Sequence, residues 1–216
     1  MMKDNNQRQQ HGWWQAQAAN QQPLPTGNKR MKPAHRVICL GLLVLSLNAA
    51  ADTTLQSPTT TMTTEVAFAP DPAALQLVLK GIAQARRSIH LAAYVFTSKP
   101  VATALLEAKR RGVEVAVVAD MQENQRQYSA TRYLANQQLP VRLNGKYAIL
   151  HDKFMIIDQQ HVQTGSFNYT ASAASKNAEN VLIIWNAPAL AARYESQWQR
   201  LWQEGEPLAA ADPAPR

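Results

Sequence analysis

The sequence predicts an α/β domain in which a mixed β-sheet is layered against flanking helices. Three observations point there. Helical and strand periodicities alternate along residues 65–206. Residues 113–119 are apolar at every position except Glu114, the pattern of a strand covered on both faces. Two segments of biased composition bracket about 140 residues, enough for one domain with its own core.

The elements follow in order. Asp71-Pro72 has the form of an N-cap and first helical position, and Leu75, Val78, Leu79 and Ile82 make the apolar stripe of a helix ending near Arg87. Residues 88–96 read as a buried strand, 99–111 as a second helix and 113–119 as the central strand. A more polar helix is expected over 124–138 and a short strand over 141–144. The apolar, β-branched run Phe154-Met155-Ile156-Ile157 predicts a strand over 150–158. Gln159-Gln160 then forms a turn, and 161–165 returns as the second arm of a hairpin. A short helix over 169–176, a strand over 181–185 and a long helix over 187–204 complete the domain. Trp198 and Trp202 are spaced i, i+4 and read as helix packing rather than a base-stacking platform. The basic run Lys109-Arg110-Arg111 reads as a solvated helix end favoured by the dipole.

The flanks set the compartment. Residues 32–36 are basic, 37–47 mostly apolar, and Asn48-Ala49-Ala50-Ala51 ends in small residues, the three parts of a signal peptide spanning 31–51 with cutting near Ala51. The apolar run is too short to span a bilayer, so no stable membrane anchor is expected and the product is periplasmic or secreted. Cys39 is the only cysteine and lies inside that run, so the remaining chain carries no disulfide. Residues 1–30 are polar and Gln/Asn-rich, either an extension or a start assigned upstream of Met31. Residues 52–64 hold seven threonines and one proline and read as a linker, and 207–216 as a flexible Pro/Ala-rich tail. The formal charge of +7 is uneven. Residues 1–51 hold six Lys and Arg against one Asp, and 52–216 hold 16 basic against 14 acidic residues. Net charge therefore gives no argument for strong nucleic-acid affinity after the leader.

The chemistry concentrates in one stretch. His151-Asp152-Lys153, then Asp158, then Gly165-Ser166-Phe167-Asn168 reads H-x-K-x4-D-x6-G-S-x-N. An imidazole able to attack phosphorus and three donors able to hold phosphate oxygens lie close enough for one hairpin to present them. Strand alternation puts His151 and Lys153 on one face and Asp152 and Asp158 on the other, and Ser166 and Asn168 again two apart. His151, Lys153, Ser166 and Asn168 are thus expected to share a pocket, while Asp158 ties down the turn or a neighbouring backbone. The same alternation splits the ligands of a metal site built on His151, Asp152 and Asp158. His90 and His161, without such company, read as packed or surface histidines.

At these residues the chain resembles the phospholipase D superfamily, whose signature is this motif, complete here in spacing and residue type. Arg111-Gly112-Val113-Glu114-Val115 running on to Asp120 is similar to a family strand, and Lys176-Asn177-Ala178-Glu179-Asn180 to the segment whose acidic residue supports the nucleophile. Residues 65–205 resemble the small bacterial secreted or periplasmic endonucleases of the superfamily. The resemblance implies a phospholipase D-like fold and a reaction without cofactor or metal. It makes His151 the nucleophile of a phosphohistidine intermediate, with Lys153 and Asn168 on the non-bridging oxygens and Ser166 assisting. Glu179 would hydrogen-bond the other ring nitrogen of His151, and Gly165 and Asp158 would be structural. The family's reaction uses two histidines from two motif copies. This chain has one, since none of His11, His35, His90 and His161 is followed by lysine two positions on. A twofold homodimer is the simplest way to supply the second. Two substrates stay open: nucleic acid (DNA, or RNA as well), or a lipid phosphodiester handled by hydrolysis or transphosphatidylation. The short chain and single motif favour the first. A binding module with a vestigial site is disfavoured because every motif residue is intact.

Overall fold

The structure, a computed structural model, describes residues 61–126 and 128–210. The leader at 31–51, the polar stretch 1–30, the linker up to residue 60 and the tail from 211 lie outside the described residues. In chain order the elements are β1 (Thr63–Ala69), α1 (Pro72–Gln84), β2 (Ser88–Ala93), α2 (Lys99–Arg110), β3 (Glu114–Asp120), α3 (Met121–Asn124), α4 (Ala130–Asn136), β4 (Val141–Asn144), β5 (Phe154–Ile157), β6 (His161–Gly165), α5 (Ala171–Ser175), β7 (Glu179–Trp185), α6 (Pro188–Glu204) and β8 (Glu206–Pro207). They build one eight-stranded sheet in the order β1-β7-β6-β5-β2-β3-β4-β8. β2, β3 and β4 run parallel to one another, and the remaining pairs are antiparallel. This is the mixed, helix-flanked α/β sheet that the alternation of periods predicts.

Period-2 alternation sorts the core into two layers. Ile89, Leu91 and Ala93 of β2 face one way and join Val78 and Ile82 of α1, Leu105 of α2 and Leu134 of α4. Ala92 points the other way and joins Val118, Phe154, Ile156 and the α6 residues Trp198 and Leu201. All six β2 residues are buried, as expected of a strand covered on both faces. Each fully buried Leu, Ile or Phe contributes roughly 1.5–3 kcal/mol of transfer free energy, which anchors both helical layers. Trp198 stacks on His90 and on Trp202 and donates its indole N–H to the Leu91 carbonyl at 3.0 Å, so it packs α6 on the sheet. Lys109 caps the 137–138 carbonyls, and Arg111 donates to the Ile82 carbonyl at 3.0 Å.

Several boundaries differ from the periodicity, and four have a clear local reason. α1 stops at Gln84, short of Arg87, because the backbone N–H groups of Arg86, Arg87 and Ser88 are taken by the Asp158 carboxylate. The helix expected over 124–138 is two. Asp120 caps α3, Ser129 caps α4, and the Ser129 hydroxyl donates back to the Asn124 carbonyl. Residues 63–69, placed partly in the linker, form an edge strand. Its alternation is concealed by threonine-rich composition and completed only by pairing with β7. Glu206–Pro207, placed across the end of the domain and the start of the tail, pair with β4 as a two-residue strand.

Candidate active site

The motif is held by two backbone devices. Asp158 and Gln159 lie at φ 56° and 57°, in the left-handed region that aspartate tolerates better than most residues, and the Gln160 N–H closes the turn on the Ile157 carbonyl at 3.0 Å. From there the Asp158 carboxylate accepts from Arg86, Arg87 and Ser88 N–H at 2.7–3.1 Å, joining the β5–β6 turn to the entry of β2. Gly165, at φ 147°, closes β6 where a Cβ would collide with the Asn180 carbonyl, so only glycine allows this approach to β7.

His151 and Lys153 precede β5 rather than lying in it, because the strand ladder begins at Phe154. They are fixed from two sides. Asp120, buried at the end of β3, accepts from the Leu150 N–H at 2.8 Å and so sets the backbone one residue before His151. Tyr94, just past β2, lies with its ring 4.6 Å from the His151 ring and 5.2 Å from the Lys153 ammonium. Lys153 is 7% exposed, and its ammonium donates to the His151 carbonyl at 2.6 Å. Burial pushes the Lys153 pKa down, opposed by the carboxylates of Asp152 and Glu179. His151 itself is exposed, with its ring at the mouth of the site.

Beyond Gly165 the chain supplies the remaining groups. Ser166 is exposed and donates from its hydroxyl to Glu179 Oε2 at 2.6 Å, while the Ser166 hydroxyl oxygen accepts from the Asn180 N–H at 3.0 Å. Glu179 also accepts from the Asn177 amide at 2.9 Å. The expected hydrogen bond from Glu179 to His151 is therefore corrected: Glu179 binds Ser166 and Asn177 instead. Register is the reason, since Gly165 pairs with Val181, and Ser166 then emerges beside the first residues of β7. Asn168 is half-buried and its Oδ1 has no hydrogen-bond partner among the described residues, a buried acceptor that ordinarily marks function or bound solvent.

The trio considered for a metal does not assemble. Asp152 accepts from the Gln197 amide at 3.2 Å, facing α6, while Asp158 is spent on backbone N–H groups. Among the described residues no group of three or more His, Cys, Asp or Glu is placed to hold a metal ion. His151, Asp152 and Lys153 line an open cleft of about 550 Å³ whose far wall is α6, with Leu190, Arg193, Tyr194 and Gln197. Arg193 and Gln197, one turn apart on a helix, carry no signal until α6 is laid against the motif. Tyr94 does carry one, a phenol near the end of the segment 88–96 that reads as a buried strand, and sequence reasoning assigns it no role.

Residues 78–202 match the family model described as the cardiolipin synthase, phospholipase D-like domain. The match covers more than half of the chain, and the chain belongs to this phospholipase D-like family. The solved structure of Nuc from Salmonella typhimurium, a phospholipase D family member, superposes with a TM-score of 0.68 at 39% identity, covering 69% of this chain and all of that one. NucT from Helicobacter pylori gives 0.61 at 25% identity, covering 68% of this chain and all of that one. Among curated relatives, a phospholipase D of Rickettsia bellii is 35% identical over 131 residues, 61% of this chain and 65% of that protein. A mitochondrial cardiolipin hydrolase of Xenopus laevis is 35% identical over 123 residues, 57% and 58% of the two chains. The chain thus spans less than two thirds of the length of these curated relatives.

Proposed function

We propose that this protein is an exported phosphodiesterase that cleaves nucleic acid, DNA above all, through a covalent phosphohistidine on His151 and without a metal ion. The observation that carries the reading is the pairing of an exposed imidazole, His151, with a buried ammonium, Lys153, against one aromatic ring at an open cleft. His151 attacks phosphorus as the bond to the leaving oxygen breaks. Lys153 and Asn168 take the negative charge that builds on the non-bridging oxygens. The His151 of a second copy protonates the leaving oxygen, and water then cleaves the phosphorus–nitrogen bond and restores the imidazole. Glu179 acts one step away, orienting the Ser166 hydroxyl and placing negative charge near Lys153.

Two features support a homodimer. One chain contains one motif histidine. Phe154, Thr164, Leu182 and Val66 are successive cross-strand neighbours on the α6 face, and at its β1 edge Val66 and Phe68 remain 59% and 62% exposed. An exposed apolar pair at a sheet edge suits a self-complementary contact.

The names of the curated relatives favour a second reading, in which the same site takes a lipid phosphodiester. Arg193 and Gln197 place a positive charge and an amide on the cleft wall, beside Leu190 and Tyr194, and these two groups suit a phosphate backbone. Plasmid DNA incubated with the purified protein in excess EDTA separates the two. Cleavage by the wild type and none by His151→Ala is the expected result. No cleavage by either, with release of headgroup from phospholipid, moves the assignment to lipid. Activity only with added metal defeats the phosphohistidine mechanism.

A further inference from the structure

We propose that Tyr94 is a positioning residue whose ring sets the spacing between the His151 imidazole and the Lys153 ammonium. The inference rests on the reading of His151 as nucleophile given above. One aromatic ring touches both groups: the imidazole lies at 4.6 Å between centroids, tilted by 54°, and the ammonium lies 5.2 Å from the same centroid. The Lys153 ammonium also reaches back to the His151 carbonyl, so the three residues close a triangle.

The ring can act as a ruler because its backbone is immobilised independently of the motif. The Tyr94 carbonyl accepts from the buried Asn124 amide at 2.6 Å, and the Phe96 N–H donates to the other end of that amide at 3.1 Å. Asn124 is in turn bound to the Asp120 carbonyl at 2.8 Å, and the Asp120 carboxylate holds Leu150. The two chain segments that carry Tyr94 and His151 are therefore tied to the same end of β3. The phenol hydroxyl lies 3.5 Å from Glu123, at the outer limit of a hydrogen bond, so the ring rather than the hydroxyl makes the close contacts.

The electrostatics of the contact suit the reaction. A ring face attracts cations, so Tyr94 supports the protonated Lys153 that holds phosphate and a positively charged ring on His151 once it is phosphorylated. A side chain of similar bulk without a π face fills the space and gives neither. Displacement of a nucleophile by about an ångström can cost on the order of 100-fold in rate.

The test compares Tyr94→Phe, Tyr94→Leu and His151→Ala in the full protein, using phosphodiester turnover, thermal unfolding and the histidine ring-proton NMR signals. The phenylalanine variant is expected within about twofold of wild type. The leucine variant, folded to the same midpoint, is expected to lose roughly tenfold or more in kcat with KM little changed. The His151 ring signals, identified by their absence in His151→Ala, should lose their ring-current shift in Tyr94→Leu and keep it in Tyr94→Phe. Tyr94→Met replaces the leucine variant if that one does not fold. Wild-type kcat in the non-aromatic variant, beside an inactive His151→Ala, overturns the positioning role alone. An equal loss in the phenylalanine variant also overturns it, by assigning the effect to the hydroxyl. Full activity in His151→Ala overturns both this role and the proposed mechanism.

Discussion

A side chain is useful to phosphoryl transfer when its charge is available at the right place, and the two residues proposed to act there, His151 and Lys153, differ in exposure. His151 is exposed and reachable, whereas Lys153 is buried and held against Tyr94 and its own neighbour's carbonyl. Burial lowers the Lys153 pKa, so its ammonium persists below that value and is lost as pH rises through it, earlier than for an exposed lysine. If Lys153 holds phosphate, kcat/KM falls along an alkaline limb below the ordinary lysine range. Lys153→Arg, whose charge does not titrate, should push that limb upward even at a reduced rate. A limb at an unchanged pH in this variant removes Lys153 as its source. Lys153→Ala and Asn168→Ala are each expected to lose about 3 kcal/mol of transition-state stabilisation, read as a drop in kcat of two to three orders of magnitude. A near-normal rate in either takes that residue out of the phosphate site. The Ser166–Glu179 pair shows how far residue identity alone reaches. Both residues are legible as candidates, but only the β6–β7 register decides that they bind each other.

At the scale of elements, the motif is a hairpin whose turn also organises the start of β2. Asp158 satisfies three N–H groups between α1 and β2, which ends the helix and launches β2 at one point. Asp158→Ala leaves those donors without their charged acceptor and should destabilise the fold by about 3 kcal/mol. For a domain of this size that is a fall in Tm of roughly 6–12 °C. Asp158→Asn, which keeps one acceptor oxygen and tolerates the positive φ, should lose less. Equal thermal midpoints for the alanine variant and wild type would show that solvent serves these N–H groups as well. Strand alternation does not reach Asp158 or His151, since β5 spans only Phe154–Ile157, and the Asp158 carboxylate serves a neighbouring backbone. Alternation could not foresee the partner, some 70 residues earlier in the chain.

Across the whole molecule, the distribution of apolar surface bears on assembly. α6 covers one face of the sheet over β2 to β6, while Val66 and Phe68 on β1 remain open. Val66→Asp combined with Phe68→Asp should shift the protein to a monomer in sedimentation and abolish turnover, because each copy then lacks a second histidine. Full specific activity in a stable monomer would sink the shared-site model. No helix among the described residues is long and apolar enough to cross a membrane.

Family, fold class and the identity of the candidate groups were legible in the chain itself. A four-part motif with fixed spacing, and periods of 3.6 and 2, are local properties that survive without coordinates. The limits of that reading appear where contacts join distant segments. Asp158 shortens α1, Asp120 sets Leu150, Tyr94 meets His151 and Lys153, and α6 brings Arg193 to the cleft. Each of these depends on which strands become neighbours in the sheet. That choice minimises the free energy of the whole core, and no window of sequence contains it.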